Sequence, residues 1–209
     1  RWDGSRWSTQ SSGTTVSLYS VWGIDTSNLW AVGDGGVILK WNGSTWSPQT
    51  SGTTNTLMGV WGVDANNVWA VGSEILKWNG STWSKQTVPP NQYFNGVGGS
   101  DSQNVWAVGF DGRIYRHNAG AWSAEVSGTS SGTQGELWKV AAIRPNLIWA
   151  VGWGGIILRS NGTTWSLDTS LVRTPDTPIM SVWGTDANNI WAVGFDPVST
   201  TTHSIKWSG

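Results

Sequence analysis

The sequence predicts an all-β chain, a five-bladed β-propeller with four antiparallel strands in each blade. Three observations predict it. One unit recurs five times, with copies starting near residues 17, 56, 93, 136 and 178, and a period of roughly 40 residues marks propeller blades. The chain holds 19 tryptophans and 28 glycines among 209 residues, a composition that suits strands and turns better than helices. Each unit carries four short apolar runs separated by turn residues. A single domain over residues 1–209 follows.

The second unit shows the elements in order. "LMGVWGV" (Leu57 to Val63) is strand one. "DANN" (Asp64 to Asn67) is a turn, in which Asp and Asn bond their own backbone. "VWAVG" (Val68 to Gly72) is strand two and "EILKW" (Glu74 to Trp78) strand three. Asn79-Gly80 predicts a two-residue type I′ hairpin. Strand four is "TWSKQT" (Thr82 to Thr87). By the same reasoning Asp25, Asp64, Asp101 and Asp186 are turn residues rather than catalytic ones.

The ends complement each other. "SRWSTQ" (Ser5 to Gln10) is a fourth strand that precedes any first strand. "HSIKWSG" (His203 to Gly209) stops at strand three. Residues 1–16 are therefore expected to complete the last blade and close the ring, which leaves no sheet edge open. "RWDG" (Arg1 to Gly4) repeats the end of strand three and is surplus to that closure. Such a surplus, with Arg1 in place of a methionine, is what a longer or processed chain would leave.

All but two of the tryptophans recur at fixed strand positions. Trp30, Trp69, Trp106, Trp149 and Trp191 fall in strand two, and Trp7, Trp46, Trp83, Trp122 and Trp165 in strand four. A ring demanded at one position of every unit packs blade on blade. Trp138 and Trp153 stand apart. Both fall in the fourth unit, which has also replaced its strand-one tryptophan by Ala141 and its turn aspartate by Arg144.

Charge and motifs exclude several functions. Twelve basic and 13 acidic residues give a net charge of −1, without the basic footprint of a nucleic-acid binder. No apolar run is long enough to insert in a membrane. The chain lacks cysteine, and its two histidines, His117 and His203, have no ligand spacing, so no metal and no cofactor is expected.

The turns from strand one to two and from three to four read alike in most units, and the connections on the opposite face diverge. Loops on a rigid frame are where binding residues gather. The candidate ligand site is therefore this variable face: Trp138, Trp153, Phe110, Phe195, Arg173, Lys139, Tyr93 and Asp196, with Tyr19 and Phe94 nearby.

"NGSTW" (Asn42 to Trp46) is similar to the second half of the Asp-box, or BNR, motif of propellers. Leu39 and Trp41 stand where that motif has its serine and aspartate. The whole chain resembles tryptophan-rich "VWG…WAVG…WNG.TW" repeats of exported bacterial, especially myxobacterial-type, proteins. In size and blade count it is similar to tachylectin-type five-bladed lectins. The resemblance implies an extracellular or cell-surface propeller, and sugar binding by analogy of fold alone.

The expected function is a non-catalytic, monomeric binding propeller whose variable face takes a glycan. Aromatic faces would stack on the sugar while polar neighbours bond its hydroxyls. The alternative is a protein-interaction or structural module of a larger exported protein. A glycoside hydrolase is the remote alternative, and would need two of Asp34, Glu74, Asp111, Glu136 and Asp196 to converge.

Overall fold

The computed structural model describes residues 1–128, 135–169, 177–196 and 201–207. Its 19 strands form five antiparallel sheets, four of four strands and one of three. Blade 1 is β1 (Leu18–Asp25), β2 (Asn28–Gly33), β3 (Ile38–Trp41) and β4 (Trp46–Gln49). Blade 2 is β5 (Leu57–Asp64), β6 (Asn67–Gly72), β7 (Ile75–Trp78) and β8 (Trp83–Lys85). Blade 3 is β9 (Phe94–Asp101), β10 (Asn104–Gly109), β11 (Ile114–Asn118) and β12 (Ala121–Glu125). Blade 4 is β13 (Leu137–Arg144), β14 (Leu147–Gly152), β15 (Ile157–Ser160) and β16 (Trp165–Leu167). Blade 5 is β17 (Ile179–Asp186), β18 (Asn189–Asp196) and β19 (Thr201–Trp207).

The cores lie between blades. Trp30, Val32 and Ile38 of blade 1 meet Leu57, Val60 and Val68 of blade 2. Trp69 and Val71 of blade 2 meet Phe94, Val97 and Val105 of blade 3 in the same way. The strand-two indoles carry a second, unforeseen device. In every blade the strand-three residue paired with that tryptophan is cationic and stands over its ring. Lys40 lies 5.2 Å from the Trp30 centroid and Lys77 5.1 Å from Trp69. Arg116 covers Trp106, Arg159 covers Trp149 and Lys206 covers Trp191. Five of the 12 basic residues thus stand in cation–π pairs.

The turn aspartates do what their spacing predicts. Asp25 and Asp64 each accept from a backbone N–H two residues on and from the Asn three residues on. The three-to-four hairpin differs from expectation. Trp78 pairs with Trp83, so the loop has four residues, Asn79 to Thr82, and among them only Gly80 has positive φ. Asn79 Oδ1 accepts from the N–H groups of Ser81 and Thr82, an Asx-type cap that replaces the two-residue type I′ turn. The last of the divergent connections contains the hairpin end of β18 and β19, with Asp196 opposite Thr201.

The ring is not closed as expected. First strands pack in series, β1 on β5, β5 on β9, β9 on β13 and β13 on β17, and no comparable packing joins β17 to β1. Among the described residues blade 5 has no fourth strand. Residues 1–16 do not supply one, because Trp2 bridges to Trp7 within the N-terminal segment itself. This hairpin lies against blade 1, where Arg1 reaches the Trp41 ring.

Candidate functional site

Each first strand opens with a bulge, which builds the variable face. In blade 4 Leu137 pairs with Gly152 and Lys139 with Val151, which leaves Trp138 unpaired. The same skip leaves Tyr19, Met58, Asn95 and Met180 unpaired in the other blades. A bulge of this kind turns its extra side chain away from the ladder. The glycine ending strand two permits the close approach: a β-carbon on Gly152 would lie 1.9 Å from the Glu136 carbonyl oxygen.

The residue after that glycine sits beside the bulge residue. In blade 4 the two are Trp138 and Trp153, whose rings meet edge to face at 5.8 Å and 71°. Trp153 keeps 40% of its surface exposed. In blade 1 the same positions hold Tyr19 and Asp34, and the phenol donates to Asp34 Oδ2 at 3.0 Å. That contact raises the Tyr19 pKa above the ordinary phenol value. In blade 3, Phe110 meets Tyr93 edge to face at 5.1 Å. In blade 5, Phe195 and Met180 are both exposed.

Neighbouring blades link these pairs. The turn Phe110–Gly112 packs on β13, and the turn Trp153–Gly155 packs on β17. Tyr93, Phe110, Trp138, Trp153 and Phe195 therefore lie along one aromatic arc over blades 3 to 5. Phe94, by contrast, is fully buried. Blades 1 and 2 make the polar part of the rim. There Asp34 also accepts from Thr56, and Glu74 pairs with Lys85 at 2.9 Å and accepts from Asn55.

Inside the arc sits Lys139. The first strands of all five blades border a cavity of ≈ 340 Å³, whose lining includes Trp22, Trp61, Trp183 and Lys139. At the Lys139 register the other blades carry Ser20, Gly59, Gly96 and Ser181. Among the described residues nothing forms a hydrogen bond or ion pair with the Lys139 ammonium, and burial lowers its pKa. Ala141, in place of a tryptophan, leaves space beside it.

The side chains of two expected site members are not described. Arg173 lies outside the described residues. Asp196 is placed as backbone at the end of β18, and its side chain is outside the description. Sequence reasoning missed the clasp of Asn95, whose amide donates to Glu136 Oε1 and to the Leu137 carbonyl. No signal in the sequence marked it, because Asn95 is set free by a bulge that only the register shows. The carboxylates named for hydrolysis are engaged singly: Asp111 faces Arg113 at 3.6 Å, and Glu136 holds Asn95. Among the described residues no cluster of metal-ligating side chains occurs.

No protein-family model matches the chain, and no curated protein matches its sequence. Solved structures do. YCF48 from Cyanidioschyzon merolae superposes with a TM-score of 0.72 at 19% identity, over 98% of this chain and 74% of that one. The WD40 β-propeller domain of Doa1 gives 0.69 at 11% identity, over 93% and 70%. The chain is a repeat β-propeller. A further match is a YCF48 bound to a D1 peptide, with a TM-score of 0.51 at 19% identity, over 92% and 80%.

Proposed function

We propose that this propeller is a non-catalytic protein-interaction module. Its aromatic arc holds an extended segment of a partner protein, and Lys139 receives an acidic group of that segment. The observation that carries this reading is Lys139 itself. It is a half-buried cation lining the first-strand cavity, with no counter-ion among the described residues, and a partly desolvated charge without a partner is costly. A ligand carboxylate would supply the missing charge, and exposed aromatic rings give the contact area typical of interface anchors. The peptide-bound YCF48 shows that one propeller of similar fold takes a peptide.

A glycan fits the same rings less well. Sugar sites need polar side chains free to bond hydroxyls. Here Asp34, Glu74 and Glu136 are already held by their neighbours.

The test is a displayed library of random and acidic peptides, run beside a glycan array. Peptides with an acidic residue are expected to bind, and Trp153→Ala to weaken them at least about tenfold. Lys139→Met should remove the preference for an acidic residue while leaving the fold intact. Glycan hits with a silent peptide library would overturn the reading in favour of a lectin.

A further inference from the structure

Two blade faces are uncovered, and their covered counterparts in the same molecule define what fits them. On blade 5, Trp191 is 44% exposed, whereas the equivalent Trp30, Trp69 and Trp106 are at 0%. On blade 1, Val21 is 60% exposed, whereas Val60 is at 2%. Between blades 1 and 2, the strand-one residues Leu57 and Val60 are covered by Trp30 and Val32 of strand two. Blade 1 thus lacks a strand-two tryptophan and valine, and blade 5 lacks a strand-one leucine and valine. The two faces have complementary chemistry, yet they do not meet, so a wedge separates them.

The N-terminal hairpin says what belongs in the wedge. Its Trp2 and Trp7 rings lie 5.8 Å apart, like Trp41–Trp46 at 5.5 Å and Trp78–Trp83 at 5.7 Å. Asp3 Oδ1 accepts from the N–H groups of Ser5 and Arg6, as Asn42 Oδ1 does from Ser44 and Thr45. It is the outer half of a blade. Among the described residues no inner half lies beside it. A β-carbon on Gly80 would strike Asn66 of the one-to-two turn at 2.3 Å, whereas Gly4 has nothing within 4 Å. Trp41 and Trp78 donate to carbonyls of that turn, those of Thr26 and Ala65. Blade 5 cannot be the inner half, because it already has a third strand whose Lys206 covers Trp191.

We propose that two further blades of this same repeat, carried by the same polypeptide, fill the wedge. They comprise a fourth strand for blade 5, one complete blade, and the inner strands of a blade whose outer hairpin is residues 1–10. The size agrees. The superposition leaves about a quarter of the C. merolae YCF48 chain unmatched, roughly two units of ~40 residues. A cleft of ≈ 690 Å³ between the hairpin and blade 1, lined by Trp2, Trp7, Val21, Ile24 and Leu29, is where the inner strands would lie.

The experiment places a copy of residues 44–115 either after Gly209 or directly before Arg1, since both arrangements supply the same strands in register. Each extended chain is compared with the 209-residue chain by sedimentation, urea unfolding and acrylamide quenching. An extended monomer with a higher urea midpoint and weaker quenching supports the proposal. So does a Trp191→Ala change that barely moves the midpoint of the 209-residue chain yet moves the extended one as far as Trp149→Ala does. Three outcomes overturn it. The 209-residue chain could form a stable dimer that protects Trp183 and Trp191, so that a second copy fills the wedge. An extended chain could fold with unchanged midpoint and quenching and no sensitivity at Trp191. Or neither extended chain could fold.

Discussion

Glu125 holds two blades through one side chain. Its Oε2 accepts from the indoles of Trp106 at 3.2 Å and Trp165 at 2.7 Å, and Oε1 lies 3.7 Å from Arg116. The corresponding indole nitrogens of Trp30, Trp69, Trp83 and Trp149 have no partner. Glu125→Ala would leave two buried donors unmatched and remove the carboxylate facing Arg116, which keeps its bonds to Gly162 and Asn104, and should cost about 3 kcal/mol in urea unfolding. Glu125→Gln should cost less, since it keeps an acceptor. No pattern in the sequence announces this residue, because its partners belong to two different blades. His117 was more legible. It stands where the repeat has Trp41 and Trp78, and its ring packs on Trp122 and Trp69. Burial, then the nearby Lys77 charge, lower its pKa, although the Ser102 carbonyl opposes them. The folded chain therefore holds a neutral imidazole while the unfolded chain takes up a proton below about 6.5. Stability from this site is full above that value and is lost as pH falls. The urea midpoint should drop between pH 7.5 and 5.5, and His117→Trp should flatten the drop. Asp25 and Asp186 act in a separate, more acidic window. Asp25 is lowered by the N–H of Ser27 and then by Asn28, and Asp186 by Asn189 and then by the N–H of Asn188. Both contribute above the ordinary carboxylate range and lose that contribution as pH falls through it.

At the scale of the blade, the sequence repeat carries almost all of the strand plan, because packing and pairing both follow a period of two along each strand. The tryptophan of "WAVG" and the strand-three cation, which precedes Trp41, Trp78, His117, Ser160 or Trp207, are cross-strand partners in each blade. That pairing was visible as text, but its meaning needed the register. The bulge that aims Trp138 was not visible, since one skipped residue leaves no mark in composition. Nor was the four-residue hairpin, where Asn-Gly suggested a shorter turn but the Asn79 side chain takes two N–H groups onward. Glycine roles separate in the same way. Gly72 needs hydrogen for contact, because a β-carbon would sit 2.0 Å from the Thr56 carbonyl oxygen. Gly52 needs it only for its backbone, with φ at +76° and nothing within 4 Å. Gly72→Ala should therefore cost about 3 kcal/mol, by the logic of overpacking. Gly52→Ala should cost about 1 kcal/mol, the usual penalty for a left-handed residue. Thermal unfolding of the two variants side by side distinguishes contact from conformation.

At the scale of the molecule, the order of blades decides how the fold comes apart. Blades 2, 3 and 4 are covered on both faces by neighbours, and blades 1 and 5 on one face only. An array of this kind behaves as a linear chain of units, whose stability is a sum of unit and nearest-neighbour interface terms. The end blades each lack one interface term. They also expose the positions that are dry elsewhere, Val21 on one side and Trp191 and Val193 on the other. Opening should therefore begin at the ends and move inward. Hydrogen exchange read by mass spectrometry should show the slowest amides in β6, β10 and β14. Those in β18 should exchange faster, although the strands share the same sequence motif and hydrogen-bond pattern. Equal protection in all five blades would mean that the uncovered faces are covered in solution. Adding the two further blades should then slow exchange in β18 to the level of β14, and the gain should fall on blades 1 and 5 more than on blade 3, whose neighbours stay the same.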